Sequence, residues 1–528
     1  MVRTPYGALS QVFGAHTRTQ GFGLLWHEER TFMSNSSRRE FLITAATGVG
    51  AGLLSPAVGR AQPPAGKPPA GKGPIRKRRN VVSPAAKGDL TSLSKGVAAL
   101  KKLAISSPKD PRGWILQAFI HGDCETFTKC RHGSWFFAPW HRSFLYYFEQ
   151  LIQQFSGDEK FALPYWDWSR TTGVPASFYG TGNPLDDNMS IVKLCAEAPT
   201  AGRGRTVNDR FSPLDLNTYV GRNVISRIQQ NPDYASYGGS NPGGGELEQT
   251  PHNFIHRWVG GAKDSNMVQT FSPMDPIFWM HHCNIDRLYS NWLSRPNHFV
   301  PSDDAWQKMS FNDFFDRDGK PAGSEFTCGA TVDSRVMGYV YDDAMDVPET
   351  LTTAKQGPSP KPQIVATVVA SKAAARGGVL RFVSDAVPSP DARRVMNATA
   401  LGARNFVTRL RIEGINSPAR QNTAVHVFLG ENITVDTPTS APGYVGSFTF
   451  FEGQSKNRAA HRHEGAGTVL LNASEALKRL YGDSSLPPDT NVTVSVVTRP
   501  LYTGLKAFAT LEDIQPDRVQ LEVVDLGG

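Results

Sequence analysis

The chain is poor in cysteine and in long apolar runs. Its 528 residues include only five cysteines, an odd number that cannot form a fully paired disulfide framework. The apolar run near the N-terminus, AATGVGAGLL at positions 45–54, is too short and too rich in glycine to remain as a membrane span. We therefore expect a large hydrophobic core to stabilise the fold, and no membrane segment in the mature protein.

A basic surface for nucleic acid is also missing. The formal net charge is +8, but the first 79 residues carry twelve Lys and Arg against three Asp and Glu. That segment accounts for +9, which leaves −1 for the rest of the chain. The charge of the folded part therefore gives no reason to expect nucleic acid as a partner.

The N-terminal segment contains an export pattern. The sequence SRREFLI at positions 37–43 is a twin-arginine pattern followed by the apolar run, and small residues end it near Ala61. A chance arginine pair before an apolar stretch would look the same. We expect export through the twin-arginine pathway, to the periplasm or the medium. Because Met33 is a more ordinary start for such a signal, residues 1–32 are interpreted as a mis-assigned extension.

Histidines are concentrated in the stretch 251–292. His252 and His256 are four residues apart and share one face of a helix. His281 and His282 open a second helical run, in which apolar residues recur behind His282 at helical spacing, so His282 should face inward and His281 elsewhere. Zinc proteases need a glutamate inside the first pair, as in H-E-x-x-H, and here that position is Asn253.

A second cluster of three histidines lies earlier in the chain. His141 has apolar residues behind it at helical spacing, so it lies on the buried face near the start of a helix. His121 ends another predicted helix, and His132 lies between the two. Three convergent neutral imidazoles suit Zn, Cu, Fe or Ni. The two clusters together predict two metals that face each other across a helical bundle.

The motifs around these histidines identify a family resemblance. The first cluster has the spacing H-x10-H-x8-H with GSWFFAPWHR, followed by LPYWDW at Leu163 to Trp168. The second contains H-N-x-x-H and DPIFWMHHxNIDR. Over roughly residues 75 to 345 these motifs resemble type-3 copper proteins, that is tyrosinases, catechol oxidases and hemocyanins. The resemblance implies two copper ions that bind dioxygen as a bridging peroxide, one on His121, His132 and His141 and the other on His252, His256 and His282.

The same resemblance assigns roles to neighbouring residues. Glu248 and Asn253 match positions linked to holding a water near the second copper, which could deprotonate an incoming phenol. Asn253 could equally be a helix cap. Phe278 should form an aromatic floor under the metals. Asp286, one turn after His282, could orient an imidazole or satisfy a buried arginine.

Cys130 lies two residues before His132, an arrangement in which some relatives join the cysteine sulfur covalently to the ring of the ligating histidine. We expect this thioether here. Plant-type relatives instead use a cysteine just after the first histidine, closer to Cys124. A free Cys130, or a disulfide between Cys124 and Cys130, remains open for an exported protein.

The C-terminal third changes to short β-rich runs separated by turn residues. It predicts a β-sandwich that resembles the C-terminal domain shielding the copper site in latent plant-type polyphenol oxidases. Tyr444, flanked by Gly and Pro at a turn, is our first choice for the shielding residue, and Phe448 is the second. Phe448 could instead fill the sandwich core, since it alternates with Phe450.

We therefore expect an α + β multidomain protein, in which a mainly helical bundle holding a dicopper site is followed by a β-sandwich. The predicted function is a latent, tyrosinase-like polyphenol oxidase that oxidises o-diphenols to o-quinones with O2 and also hydroxylates monophenols; oligomers are possible. The alternatives are a catechol oxidase without monophenolase activity and a hemocyanin-like dioxygen-binding protein. The predicted segments are an extension at 1–32, a signal at 33–61, a linker at 62–74, the copper domain at 75–345, a linker at 346–362 and the β domain at 363–528.

Overall fold

The computed structural model describes residues 74–527, apart from short gaps. These gaps are 125–128, 172, 190–204, 206–210, 213–214, 262–264, 344–361, 404, 417, 419–421, 452–466, 483, 485, 488, 502–507 and 515. The predicted extension, the export signal and nearly all of both linkers lie outside the described residues. Within the described part, no helix is both long and apolar enough to cross a membrane.

The first part of the chain is helical. Its main helices are α1 (Lys87–Ser106), α2 (Trp114–His121), α3 (Phe137–Ser156), α4 (Arg222–Gln230), α5 (Tyr234–Gly238), α6 (Asn253–Gly260), α7 (Ile277–Leu293) and α8 (Asp304–Gln307). Two short sheets accompany them, the parallel pair β1 (Arg76–Arg78) with β4 (Tyr339–Tyr341) and the hairpin β2 (Phe314–Phe315) with β3 (Pro321–Ala322).

Helices α3 and α7 form the centre of this part, and nearly all of their side chains are buried. Helix α1 is amphipathic and packs its apolar stripe, which includes Leu93 and Val97, against α3. Gly96 allows the two helices to approach closely, because a Cβ there would lie 2.9 Å from the side chain of Ile152. Helices buried on several faces provide a rigid frame for side chains that point into the bundle.

A buried ionic network ties α3, α7, β1 and β4 together. Asp286 on α7 accepts from the guanidiniums of Arg142 (2.6 Å) and Arg78 (3.2 Å) and from the hydroxyl of Tyr339 (2.6 Å). Burial would raise the pKa of Asp286, but the two guanidiniums hold it below its ordinary value. The carboxylate is therefore charged and fully paired, and losing one partner would leave a buried charge uncompensated.

The second part is a β-sandwich. One sheet has the order β10-β9-β12-β7-β6 and the other β11-β8-β13-β5, with every neighbouring pair antiparallel. Apolar side chains of both sheets and three helices fill its core. The strands are β5 (Gln363–Ala370), β6 (Lys372–Arg376), β7 (Val379–Val383), β8 (Phe406–Glu413), β9 (Thr423–Leu429), β10 (Tyr444–Thr449), β11 (Val469–Asn472), β12 (Thr493–Pro500) and β13 (Arg518–Asp525), and the helices are α9 (Pro390–Ala400), α10 (Ser474–Tyr481) and α11 (Leu511–Ile514).

The edge strands β10 and β11 of the two sheets both lie against the helical part. The carbonyls of Ser447 and Thr449 on β10 accept from the side chains of Thr250 (2.7 Å) and Asn253 (2.8 Å). Gly244 pairs with β11 through two backbone hydrogen bonds of 3.1 Å each. Exposed sheet edges are prone to pair with other chains, and docking covers both of these. The predicted fold class, a helical bundle followed by a β-sandwich, is confirmed.

Candidate metal centre and its cover

Six buried imidazoles gather in two groups between the helices. Within triad A the ring centroids are 5.2 to 5.8 Å apart, and within triad B they are 4.5 to 5.4 Å apart. Each group can hold a metal ion, since the ligand atoms of its members lie within 4.8 Å of one another. Triad A consists of His121 at the end of α2, His132 before α3 and His141 on α3; triad B consists of His252, His256 on α6 and His282 on α7.

The two triads face each other. The ring of His141 stacks on that of His282, with centroids 4.2 Å apart and planes 17° apart. The ring of Phe278 lies against histidines of both triads, at 5.2 Å from His121 and 4.1 Å from His282. An apolar ring below the histidines excludes water from that side. The structure thus places Phe278 where an aromatic floor was predicted.

Burial keeps these imidazoles neutral. It lowers the pKa of His121 to about 4, and it lowers the pKa of the other five well below the ordinary value. A neutral imidazole has a lone pair to offer, whereas an imidazolium has none, so burial prepares both triads to bind metal.

Hydrogen bonds at Nδ1 orient several of the rings. Nδ1 of His141 donates to the carbonyl of Phe137 and Nδ1 of His256 to that of Met267, at 2.8 Å each. Nδ1 of His121 donates to the carbonyl of Thr270. Gly122 permits that contact, since a Cβ there would lie 2.6 Å from Thr270. With the proton fixed on Nδ1, Nε2 is the atom left to ligate a metal.

His281 lies beside triad B but has the opposite arrangement. Its Nδ1 accepts a hydrogen bond of 3.0 Å from the indole N–H of Trp168, which is a donor only. The neutral ring must therefore carry its proton on Nε2, so neither nitrogen offers a lone pair to a metal. In contrast, Nε2 of His282 lies 3.2 Å from Nε2 of His256. These contacts support His282 as the third ligand.

The structure brings Cys130 into triad A. Its sulfur lies 3.5 Å from Nδ1 and 3.6 Å from Nε2 of His132, and 3.4 Å from Nε2 of His141. Because the sulfur is almost equidistant from the two nitrogens of His132, Cε1 between them is the ring carbon it faces. Cys124 is disulfide-bonded, whereas Cys130 carries a free thiol. The alternative disulfide between Cys124 and Cys130 is therefore wrong.

Glu248 and Asn253 border triad B. Glu248 begins a π-helical turn, Glu248–His252, and Asn253 follows it; Pro251 within the turn has no N–H to donate. Asn253 accepts from Nδ1 of His252 through its amide oxygen at 2.8 Å, so it orients a ligand and is not a side-chain helix cap. Glu248 accepts from the backbone N–H of Gly133, at 2.8 Å, beside triad A. Burial raises the pKa of Glu248 to about 8, although this hydrogen bond opposes the shift.

Asp286 was predicted either to orient an imidazole or to pair with a buried arginine, and its contacts are those of the second role. Its oxygens are engaged by arginines and tyrosines of the network described above, and that network holds α7 in place. This network fixes α7, the helix that carries His282.

The residue that covers the site is Phe451, just after β10. Its ring stacks on His256, with centroids 4.0 Å apart and planes 23° apart, and meets His132 edge-on at 5.5 Å. The prediction that Tyr444 or Phe448 covers the site is wrong, because both side chains pack within the sandwich. The hydroxyl of Tyr444 bonds Ser447 at 2.6 Å within its own sheet, and Phe448 lies in the sandwich core, the alternative given for it.

The sequence contains a signal for Phe451 that the choice of Tyr444 and Phe448 overlooked. Phe448 and Phe450 alternate on the core side, which puts the next residue, Phe451, on the opposite side of the strand. An aromatic residue on that side has no core of its own domain to fill. The contact between Trp168 and His281 was also missed, since no local pattern relates residues so far apart.

The fold and the site define the class of this protein: a dinuclear metalloprotein whose two three-histidine sites lie in a helical bundle covered by a β-sandwich. A family model described as the common central domain of tyrosinase matches residues 111–295, which contain both triads. The chain is 33% identical over 219 residues to a tyrosinase of Streptomyces glaucescens, covering 38% of this chain and 77% of that protein. It is 25% identical over 443 residues to polyphenol oxidase II of Ipomoea batatas, covering 78% of this chain and 72% of that protein.

The same architecture occurs in a solved structure of a recombinantly expressed latent aurone synthase, a polyphenol oxidase. The TM-score is 0.61 at 21% identity, with 87% of this chain and 91% of that chain covered. The chain belongs to the tyrosinase family, whose members are copper oxidoreductases that act on phenols with dioxygen. The predicted cofactor, two copper ions, fits the donor sets of the two triads and is confirmed.

Proposed function

We propose that the chain is a latent polyphenol oxidase that oxidises o-diphenols to o-quinones and also hydroxylates monophenols. The stacking of Phe451 on His256 at 4.0 Å carries this proposal, because a flat aromatic ring there has the shape of a phenol ring. The side chain is 5% exposed, so in the described part of the chain the ring is buried over that histidine and not turned to solvent.

The tether makes Phe451 an effective competitor. A side chain held by a short connection has an effective concentration in the mM range, so a phenol must exceed roughly that concentration to displace it. The bonds from Thr250 and Asn253 to β10 hold the strand next to the ring. Moving β10 away would release Phe451 and break the bond to Asn253 in one event.

The copper ions, when bound, supply the binding and reduction of dioxygen. The protein's own residues orient the ligands, exclude water and move the proton of the phenol. Asn253 fixes the ring of His252, and Phe278 keeps the floor dry. Glu248 holds a proton at neutral pH while it is buried, and hydration after opening would lower its pKa. It then becomes a base that can take a phenol proton through a water.

We also propose that Cys130 becomes joined to His132. The new bond links Sγ to Cε1, and the S–H and C–H bonds break. Dioxygen, which the reaction already uses, takes the two electrons and two protons and becomes hydrogen peroxide. The contacts of 3.5 and 3.6 Å support this reaction, since the sulfur already lies next to the ring. Peptide mass spectrometry should find the two residues joined at two hydrogens below the sum of the separate residues.

We also propose export through the twin-arginine pathway, which the sequence pattern at 37–43 supports.

A dioxygen carrier would need the same two histidine triads as an oxidase. A comparison of oxygen uptake on a monophenol and on its catechol, before and after limited proteolysis in 346–362, tests the function. An oxidase takes up oxygen with turnover, and faster after cleavage. A copper-loaded protein that binds oxygen once without turnover in either state would contradict the proposal.

A further inference from the structure

Triad A contains a fourth possible ligand. The sulfur of Cys130 and ring nitrogens of His121, His132 and His141 all lie within 4.8 Å of one another. Cys130 is only 4% exposed, and the three histidines are buried as well. This set differs from triad B, which is completed by nitrogen donors alone.

The distances from the Cys130 sulfur to two of the histidines fit a tetrahedral ion. Zinc lies about 2.3 Å from sulfur and about 2.0 Å from imidazole nitrogen, so tetrahedral geometry separates the sulfur and nitrogen by roughly 3.5 Å. The distances from the Cys130 sulfur are 3.5 Å to Nδ1 of His132 and 3.4 Å to Nε2 of His141. The sulfur therefore lies at the right distance from these two histidines to share a metal ion with them, and His121 completes the set within 4.8 Å.

Coordination number separates two kinds of site. Three protein ligands leave an open position for a reactant, whereas four close the coordination sphere, as in structural zinc sites. Cys130 as a thiolate would be such a fourth ligand. A Cys130 that is bonded to the ring of His132 has no thiolate to offer, and the site is then open.

We propose that before the cross-link forms, Cys130 and triad A make a closed four-ligand site for a thiophilic tetrahedral ion, Zn(II) or Cu(I), and that the cross-link opens it for dioxygen. This inference rests on the proposed cross-link and deepens the proposed function. Thiolate ligands favour these ions, so zinc taken up first would occupy the site and delay activation. The thiol is thus a loading ligand that is removed once copper has arrived.

Cobalt(II) tests the site without turnover, because a thiolate bound to cobalt gives an intense charge-transfer absorption and imidazole alone does not. The full-length chain should be produced without copper, its free Cys130 thiol verified by mass, and then titrated with cobalt. We expect the thiolate band, with tetrahedral d–d bands, to saturate at one equivalent, and Cys130→Ser to lose it. Cys328→Ser, which removes another buried thiol, should keep it.

Two further samples keep the test decisive. Protein that has been cross-linked with copper and dioxygen, then stripped of metal, should bind cobalt without the thiolate band even if Cys130→Ser fails to fold. His256→Ala should keep the band while it lacks oxidase activity, so failure of the oxidase proposal and failure of this one are distinguishable. A wild-type protein with an intact thiol and no thiolate band, or a band that persists in the cross-linked protein, would overturn the proposal.

Discussion

At the scale of single residues, the hydrogen bond made by Nδ1 of a buried histidine determines whether its Nε2 has a lone pair for a metal. His256 donates from Nδ1 to a carbonyl and offers Nε2 to a metal, whereas His281 accepts at Nδ1 from Trp168 and offers no lone pair. Both rings are fully buried and belong to one cluster, so burial alone does not separate them.

This difference gives the first prediction. His256→Ala should lose one copper and lower oxidase turnover at least about 100-fold, since outer-shell changes alone cost 10- to 100-fold. His281→Gln should keep two coppers, because the amide oxygen can still accept from Trp168. Copper per chain by elemental analysis measures both. If the two variants lose copper alike, the assignment of His282 over His281 fails.

Glu248 gives the second prediction. Phenols have a pKa near 10, like tyrosine, so help with deprotonation matters most for a monophenol. Glu248→Gln should lower the monophenol rate about tenfold or more, and the diphenol rate much less. The monophenol rate should rise as pH increases towards 8, where the buried carboxyl loses its proton, and cleavage should shift that rise to lower pH. Equal losses on both substrates would leave Glu248 with a structural role.

At the scale of elements, β10 connects the site to the sandwich. On its sheet side, the hydroxyl of Ser447 lies 2.7 Å from Nδ1 of His426 on β9. Tyr219 of the helical part and Tyr444 lie near the same imidazole. Burial, with a smaller contribution from Arg499, lowers the pKa of His426 to about 3.

The third prediction follows from that shift. Unfolded chain takes up a proton at this histidine below about pH 6.5, but folded chain does not until about pH 3, so stability falls as pH decreases through this window. The loss is at most about 1.4 kcal/mol per pH unit. His426→Asn keeps an acceptor for Ser447 and should reduce the acid dependence of the melting temperature between pH 6.5 and 5. An unchanged dependence would contradict the assignment.

The metal ligands were predicted from the sequence, whereas the residue that covers them was not. His252 and His256 share one helical face and Asp286 lies one turn after His282, so spacing alone indicated these residues. The full set of six ligands and the place of Phe278 followed from the resemblance of the surrounding motifs to type-3 copper proteins. Phe451 was not found, because the docking of one domain on another depends on the shapes of both surfaces. Tyr444 was chosen from local turn residues, but its ring packs within its own domain.

At the scale of the whole molecule, the interface between the two parts is polar as well as apolar. Arg409 of the sandwich reaches Asp233 of the helical part at 3.2 Å, and both are buried. Together with the covered edges of β10 and β11, this buried pair stabilises the contact between the two parts. Breaking one partner of a buried pair typically costs about 3–5 kcal/mol.

The fourth prediction concerns this interface. Asp233→Asn should weaken the closed state and raise the activity of the uncleaved chain on bulky phenols several-fold. Lys95→Gln, a surface change on α1 far along the chain from the interface, is the control and should leave activity unchanged. Oxygen uptake on the same phenol measures both. Equal activities of Asp233→Asn and the unchanged chain, at equal copper content, would show that the pair does not hold the domain closed.

The central claim is that the ring of Phe451 occupies the place of the substrate, and Phe451→Ala in the full-length, copper-loaded chain tests it most directly. Phe450→Ala is the matched control, since it removes a neighbouring buried ring on the core side of the sandwich. Turnover of a catechol, measured below the melting temperature of both variants, should rise at least about tenfold for Phe451→Ala and much less for Phe450→Ala. Equal activation of the two variants, or no activation of Phe451→Ala, would contradict the account.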